Sequence, residues 1–389
     1  MIYIDNAATT PLKPEVLEEM MPYYLNKYGN SGSPHQLGRE AKNAVEYARG
    51  QVSTSICAKE HEIYFTSSGT EANNWLLKGA AQFKKENNGK NHIITSSIEH
   101  SSVLKVCKYL EQIGFFVTYL PVTPDGFIDP KKVEESITDT TALISIMFAN
   151  NEIGTIQPIE EIGQIAHSRN ILFHTDAVQA IGNIDIDINR LNIDALSMSA
   201  HKFHGPKGIG ALYLKKTSKI TPLLHGGHQE RGMRASTENV PAIIGMGKAI
   251  ELALSQIEKN NERLTGLRDK VLKGIIQKIP YTHLNGDINK RLSGHLNIAF
   301  DYIEGEALLM MLDNREICAS AGSACTAGAE GMSHVLKAIG LDERKARSSL
   351  RITLSSLNTE DEIDAFLTIL TESVLQLREM NPYYGYKQG

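Results

Sequence analysis

Between about residues 60 and 215, short β-rich runs alternate with helical patterns, and no other feature constrains the fold as strongly. Strand-like runs fall at 62–66, 92–96, 115–120, 142–149, 171–175, 195–199 and 210–214, with helical periodicity at 71–86, 101–113 and 159–168 among the segments between them. Strands separated by helices imply a three-layer α/β fold built on a mostly parallel, seven-stranded sheet. Such a sheet binds ligands beyond the carboxyl ends of its strands, so chemistry is sought just after each run. The pattern changes after about residue 245. Ile250, Leu254, Ile257, Leu264, Leu267, Val271 and Ile275 recur at helical spacing and predict one long helix joining two units. Beyond it, Leu296, Ile298 and Phe300 alternate as in a half-buried strand, and Thr359 with Glu362 reads as a capping box opening a last helix. The expected division is a large α/β domain at 15–255, a smaller α+β domain from 1–14 and 256–380, and a flexible tail at 381–389.

Composition narrows the function. Of 389 residues 41% are apolar, enough for a sizeable core, and 40 basic against 45 acidic residues leave a net charge of −5, which does not suit a nucleic-acid surface. The longest apolar run, 142–149, is too short to span a bilayer, and MIYIDNAATT lacks the features of a secretory leader, so a cytoplasmic protein is expected. The four cysteines, Cys57, Cys107, Cys318 and Cys325, are too scattered for a disulfide scaffold or a CxxC metal site, and no metal is expected.

Several residues are placed for chemistry. Lys202 follows the run 195–199 and is hemmed by His201, His204 and glycines, a position suited to a Schiff base, although the segment taken alone favours a solvated loop lysine. Asp176 ends the run before it. A carboxylate there suits the pyridinium nitrogen of pyridoxal phosphate, or a helix N-cap, and Gln179 lies three residues on. Ser67, Ser68, Gly69 and Thr70 sit where a strand turns into a helix, an arrangement that binds anions. His100 follows the run 92–96, where an imidazole can stack on a ring or simply satisfy a loop. Cys325 lies in a stretch of small residues with little to bury, expected to be mobile and to expose a nucleophilic thiol. Cys318 reads as buried and inert, and Cys57 and Cys107 as packing residues on helices.

Taken together, YIDNAATTP at 3–11, YGN at 28–30, TEANN at 70–74, NNEIGT at 150–155, DAVQ at 176–179, SAHKFHGPKGIGALY at 199–213, ERGMR at 230–234, GSACT at 322–326 and NTEDEID at 358–364 resemble the cysteine desulfurases, class V, fold-type I pyridoxal phosphate enzymes. The resemblance covers residues 3 to about 375. It implies a homodimer with pyridoxal 5′-phosphate in each subunit and L-cysteine as substrate. Lys202 would carry the cofactor, Asp176 would pair with its ring nitrogen, Gln179 with its phenolate oxygen, and His100 would stack on the ring beside Asn151. Gly69, Thr70, Ser199 and His201 would bind the phosphate, and Thr237 would reach the phosphate in the partner subunit. Asn30 and Arg351 would hold the substrate carboxylate, and Cys325 would accept the sulfur as a persulfide. The chain departs from the family pattern at Ser31 and Gly32 after Asn30, at SSGTE, at RASTEN, at Ser355 and in TAGAEGMSH. A selenocysteine lyase or another pyridoxal phosphate-dependent C–S lyase would use a similar site, and a non-catalytic scaffold would not need Lys202, Asp176, Gln179 and Cys325. The sulfur acceptor, whether an iron–sulfur scaffold or a carrier for tRNA or cofactor thiolation, stays open.

Overall fold

The computed structural model describes residues 1–321 and 332–385. Its strands are β1 (Ile2–Tyr3), β2 (Ile63–Thr66), β3 (His92–Ser96), β4 (Phe116–Leu120), β5 (Thr141–Ser145), β6 (Leu172–Asp176), β7 (Ala195–Ser199), β8 (Gly210–Leu214), β9 (Thr282–Leu284), β10 (His295–Phe300), β11 (Ile317–Cys318), β12 (Ser320–Ala321) and β13 (Ser349–Thr353). β2 to β8 form the expected seven-stranded sheet in the order β2-β8-β7-β6-β5-β3-β4, with only β8 running against its neighbours. Successive side chains of a strand point to opposite faces. Thus Ile94, Ile144, Phe173 and Leu196 enter one apolar core, and Ile93, Leu143, Leu172 and Ala195 enter another. Helices cover both faces, giving three layers. The run expected at 142–149 pairs as a strand only at Thr141–Ser145. Beyond it the chain stays beside β6, with the Ile146 and Phe148 N–H groups donating to the His174 and Asp176 carbonyls, and the Phe148 carbonyl accepts the Gln157 N–H.

A further apolar cluster collects Ile4, Leu264, Leu267, Val271, Ile275, Leu296, Ile298, Phe300 and the inner face of the helix Glu360–Glu379. The predicted single long helix is in fact two, Val240–Leu254 and Ile257–Lys278, bent by 70°. The apolar period runs through the break, but its burial partner changes: Ile250 packs in the sheet's core, and Leu264 onward in the second cluster. Among the described residues no single helix is long and apolar enough to cross a membrane.

The strand β10 was expected to be half-buried, and all six of its residues are buried. It lies inside the four-stranded sheet β12-β13-β10-β9, and Asn297, between Leu296 and Ile298, donates from Nδ2 to the Glu152 carbonyl at 3.0 Å. The capping box at Thr359 and Glu362 forms as read. The expected flexible tail begins instead with a packed turn, Pro382–Gly385, where Asn381 bonds the Tyr302 carbonyl and the Tyr384 ring meets Tyr281 edge-on and Tyr302 at a tilt. Residues 386–389 lie outside the described residues.

Candidate active site

Lys202 sits in the 3₁₀ turn Ala200–Lys202 directly after β7. Its Nζ donates to the carbonyls of Ala7 at 2.6 Å and Ala8 at 2.7 Å. The Gln179 amide donates to the same Ala7 carbonyl at 3.0 Å, so Lys202 and Gln179 meet at one acceptor. The N-terminal strap continues over the site: His201 Nδ1 lies 3.2 Å from Thr9 Oγ1, and the Thr10 N–H donates to the His201 carbonyl at 2.9 Å. Small side chains at Ala7 and Ala8 let this backbone come close. Burial, then Lys202 and Lys207, push His201 down to about 4, so its imidazole is neutral near pH 7. Nothing in the residue types of the strap signals that its carbonyls hold the lysine.

Asp176 ends β6, one strand over, in register with Ser197 of β7. Its Oδ1 accepts the Val178 N–H at 3.0 Å, and its Oδ2 accepts Asn73 Nδ2 at 2.7 Å. Asn73 also donates to Ser102 Oγ at 2.9 Å, and Ser102 Oγ lies 2.8 Å from His100 Nδ1. One chain of hydrogen bonds therefore runs from His100 to Asp176. Beneath it, His174 spans Ser145 Oγ at 2.8 Å and Ser197 Oγ at 3.0 Å, a buried polar rung that sequence reading missed. Full burial depresses His174 to about 3 and keeps it neutral.

The helix Gly69–Asn88 starts with Ser68 as its cap, and its first intrahelical bond runs from the Ala72 N–H to the Ser68 carbonyl. The amides of Gly69 and Thr70 precede that bond, at the positive end of a 20-residue helix. A Cβ on Gly69 would lie 2.6 Å from Val178 Cγ2 and 3.4 Å from Ser199 Cβ. Glycine thus lets the helix terminus press against the Asp176–Gln179 turn and the end of β7. Glu71 joins this end to Arg234 through a two-pronged pair at 2.8 and 3.0 Å.

Glu99, beside His100, is fully buried. Its Oε1 accepts Ser96 Oγ at 2.6 Å and the Met147 N–H at 3.0 Å, and its Oε2 has no partner among the described residues. Burial pushes this carboxyl from the ordinary 4.5 up to about 8; the two donors oppose the rise and Asp176 adds to it. Between those values the native state binds the proton that the unfolded chain releases, so stability falls as pH rises through this window. Glu99→Gln keeps an acceptor for both donors. It is expected to raise Tm over the parent by a few °C at pH 8, at roughly 1 °C per kcal/mol for a chain of this length, and to change it little at pH 5. Equal shifts at both pH values in a thermal melt would remove the carboxyl as the cause.

Arg351, on β13, is 2% exposed. Its Nη2 pairs with Asp5 Oδ1 at 2.7 Å, its Nη1 donates to the Asn151 carbonyl at 3.2 Å, and its Nε has no partner among the described residues. A buried cationic donor with an unused N–H suits an incoming carboxylate. Asn30 is exposed, its side chain accepting only the local Gly32 N–H at 2.9 Å; next to it Ser31 Oγ bonds Glu238, the neighbour of Thr237. Asn30 and Thr237 thus share a surface region, and neither joins the network of Lys202, Asp176 and Arg351 among the described residues. Ser355 closes a turn in which its N–H donates to Asn358 Oδ1 at 2.9 Å.

Cys325 lies outside the described residues. Of the flanks of its expected mobile loop, about 319–333, Ser320 and Ala321 form β12, and Ser333 caps the helix His334–Ala338. Cys107 is buried as expected, and burial pushes its thiol up to about 12. Cys57 is exposed, beyond its helix in a left-handed turn (φ 57°), and Cys318 is half-buried rather than buried.

An anion seat, a carboxylate and an amine at one edge of the seven-stranded sheet, with Arg351 of the four-stranded sheet tied through Asp5 to the strap that holds Lys202, fit pyridoxal phosphate with an amino-acid substrate. The aminotransferase class-V family model matches residues 2–366. The chain belongs to that family, whose members generally depend on pyridoxal phosphate. It is 53% identical over 381 residues to "Cysteine desulfurase IscS" of Methanosarcina thermophila, covering 98% of this chain and 94% of that one. It is 51% identical to a protein of the same name from Clostridium botulinum over 385 residues, 98% and 96% of the two chains. Among solved structures, a "NIFS-LIKE PROTEIN" matches with TM-score 0.90 and 40% identity, covering 96% of this chain and 99% of that one. "SspA in complex with cysteine" matches with TM-score 0.82 and 40% identity, covering 92% and 100%. Within the class-V family, this chain is a cysteine desulfurase.

Proposed function

We propose that this chain binds pyridoxal 5′-phosphate at Lys202 and uses it to move sulfur from L-cysteine to Cys325, leaving alanine and an enzyme persulfide for a protein acceptor in the cytoplasm. The carrying observation is the meeting of Lys202 and Gln179 at the Ala7 carbonyl, one strand from the anchored carboxylate of Asp176. When bound, the cofactor supplies a protonated ring that takes up the electron pair of a bond broken beside it. The amides of Gly69 and Thr70, with Ser199 and His201, would hold its phosphate, and His100 would stack on its ring beside Asn151. Asp176, fixed by Asn73 and the Val178 N–H, would keep the ring nitrogen protonated, and Gln179 would face the phenolate oxygen.

Arg351 is suited to orienting the substrate carboxylate, with Asn30 assisting. Lys202, held at the end of its turn by the Ala7 and Ala8 carbonyls, would serve as the amine that takes the proton from the substrate α-carbon and returns one to the β-carbon. The Cys325 thiolate then attacks the substrate sulfur: the S–S bond forms, the Cβ–S bond breaks, and its electron pair stays with the carbon fragment until that is protonated to alanine. Thr237, on its exposed loop, would complete the phosphate site of a second subunit, which makes a homodimer the functional unit. Asp176→Ala tests the assignment. Loss of the counter-charge should lower alanine production by about 10²–10³-fold and weaken cofactor retention on gel filtration. An unchanged rate with cofactor bound would remove Asp176 from this role.

A further inference from the structure

A carboxylate stands in the turn assigned to the phosphate, where its charge would oppose the ligand. Glu71 is the third residue of the helix Gly69–Asn88. Its side chain folds back over the turn, and Oε2 accepts the Ser67 N–H at 2.7 Å and Ser67 Oγ at 2.6 Å. Burial opposes its ionisation, but Arg234 and the two Ser67 donors outweigh burial and hold it below the ordinary 4.5, so Glu71 is an anion near pH 7. A helix start favours such a charge. It favours a phosphate for the same reason, and two anions at one terminus repel each other. Arg234 meets both carboxylate oxygens, Nε at 2.8 Å and Nη2 at 3.0 Å. The two side chains are only 15% and 12% exposed, so solvent screens the pair little.

The segment that carries Arg234 is held independently of that pair. β2 lies at the edge of the large sheet, and side chains take its backbone groups. The Phe65 N–H donates to Glu230 Oε2 at 3.1 Å, and the Ile63 carbonyl accepts Arg49 Nη1 at 2.9 Å and Arg231 Nη2 at 2.6 Å. Buried Arg49 also donates to both Glu230 oxygens, at 2.8 and 3.0 Å. Glu230 and Arg231 adopt left-handed conformations (φ 45° and 60°), which residues with side chains keep only where the surroundings impose them. The chain thus reaches Arg234 along a path fixed by other contacts.

We propose that Arg234 is a positioning residue for the cofactor phosphate: it cancels the charge of Glu71 at the helix start, so that the amides of Gly69 and Thr70 take a phosphate without repulsion. The inference rests on the reading of those amides as the phosphate seat. Glu71 fastens the turn through Ser67, and Arg234 makes that fastening compatible with an anion beside it.

The test titrates the cofactor-free full chain with pyridoxal 5′-phosphate and with pyridoxal, which lacks the phosphate, and follows each by absorbance. Arg234→Gln is expected to weaken pyridoxal 5′-phosphate binding by about tenfold or more, as an uncancelled charge at a mostly buried site should, and to leave pyridoxal binding unchanged. Glu71→Gln keeps an acceptor for Ser67 and should bind pyridoxal 5′-phosphate at least as tightly as the parent. The double variant should recover parental binding, because no charge is left to cancel. An equal loss for both ligands in Arg234→Gln would make the arginine a structural brace alone and overturn the proposal, as would a double variant that binds no more tightly than Arg234→Gln. A parent that binds pyridoxal as tightly as pyridoxal 5′-phosphate would instead overturn the phosphate seat on which the proposal rests.

Discussion

Lys202→Ala is expected to abolish the conversion of L-cysteine to alanine, by three or more orders of magnitude, while the protein stays folded. In the proposed reaction the lysine is both the attachment point for the cofactor and the base that moves substrate protons, and removal of a group with two such roles costs about as much as removal of the whole assembly. The fold should tolerate it. Lys202 contributes hydrogen bonds to the Ala7 and Ala8 carbonyls, while the strap keeps its other fastenings, such as Thr10 to His201 and Asp5 to Arg351. Circular dichroism and a thermal melt check the fold; an alanine assay checks the chemistry. Alanine at near the parental rate would place the reactive amine elsewhere.

Cys325→Ser should divide the reaction at its second half. The proposed function assigns substrate binding to Lys202, Asp176 and Arg351, so L-cysteine should still change the absorbance of the bound cofactor. Alanine should fall to a trace and the protein should gain no sulfur, because a hydroxyl is a far poorer nucleophile toward sulfur than a thiolate. Cys57→Ser, Cys107→Ser and Cys318→Ser should keep activity. Of these, Cys107→Ser should cost the most stability, since its thiol is packed in the apolar layer with Trp75 and Leu110. Full alanine release by Cys325→Ser would indicate a lyase that expels sulfur without a protein nucleophile.

The large sheet was legible because most of its strands are buried on both faces and appear as short β-rich runs, bounded by turns and alternating with helical periodicity. Ala195–Ser199, Gly210–Leu214 and the helix Ile159–Ser168 fall where the sequence pattern places them. The same alternation brought Ser96, Asp176 and Ser199 to one edge, and with them most of the candidate site. What stayed hidden has a common physical cause: it depends on partners far away in sequence. The helix break after Leu254 is invisible because the apolar period continues while the core it faces changes. Buried polar residues such as His174 and Asn297 read as surface positions until their hydrogen-bond partners are in place. The Asp5–Arg351 pair joins residues at opposite ends of the chain, and the strap holds Lys202 through backbone carbonyls, which carry no residue signature. Cys57 shows the local limit, since a left-handed residue ends the helical pattern that periodicity extended through it.

The central claim is that sulfur leaves L-cysteine for Cys325 at a site organised by Lys202. Its most direct test is a single-turnover reaction of the cofactor-loaded protein with L-cysteine, quenched and divided between amino-acid analysis and peptide mass. One alanine formed per active site, together with one extra sulfur atom located on the peptide containing Cys325, is the expected result. Alanine formed with the Cys325 peptide unchanged, or sulfur located on Cys57, Cys107 or Cys318, would contradict it.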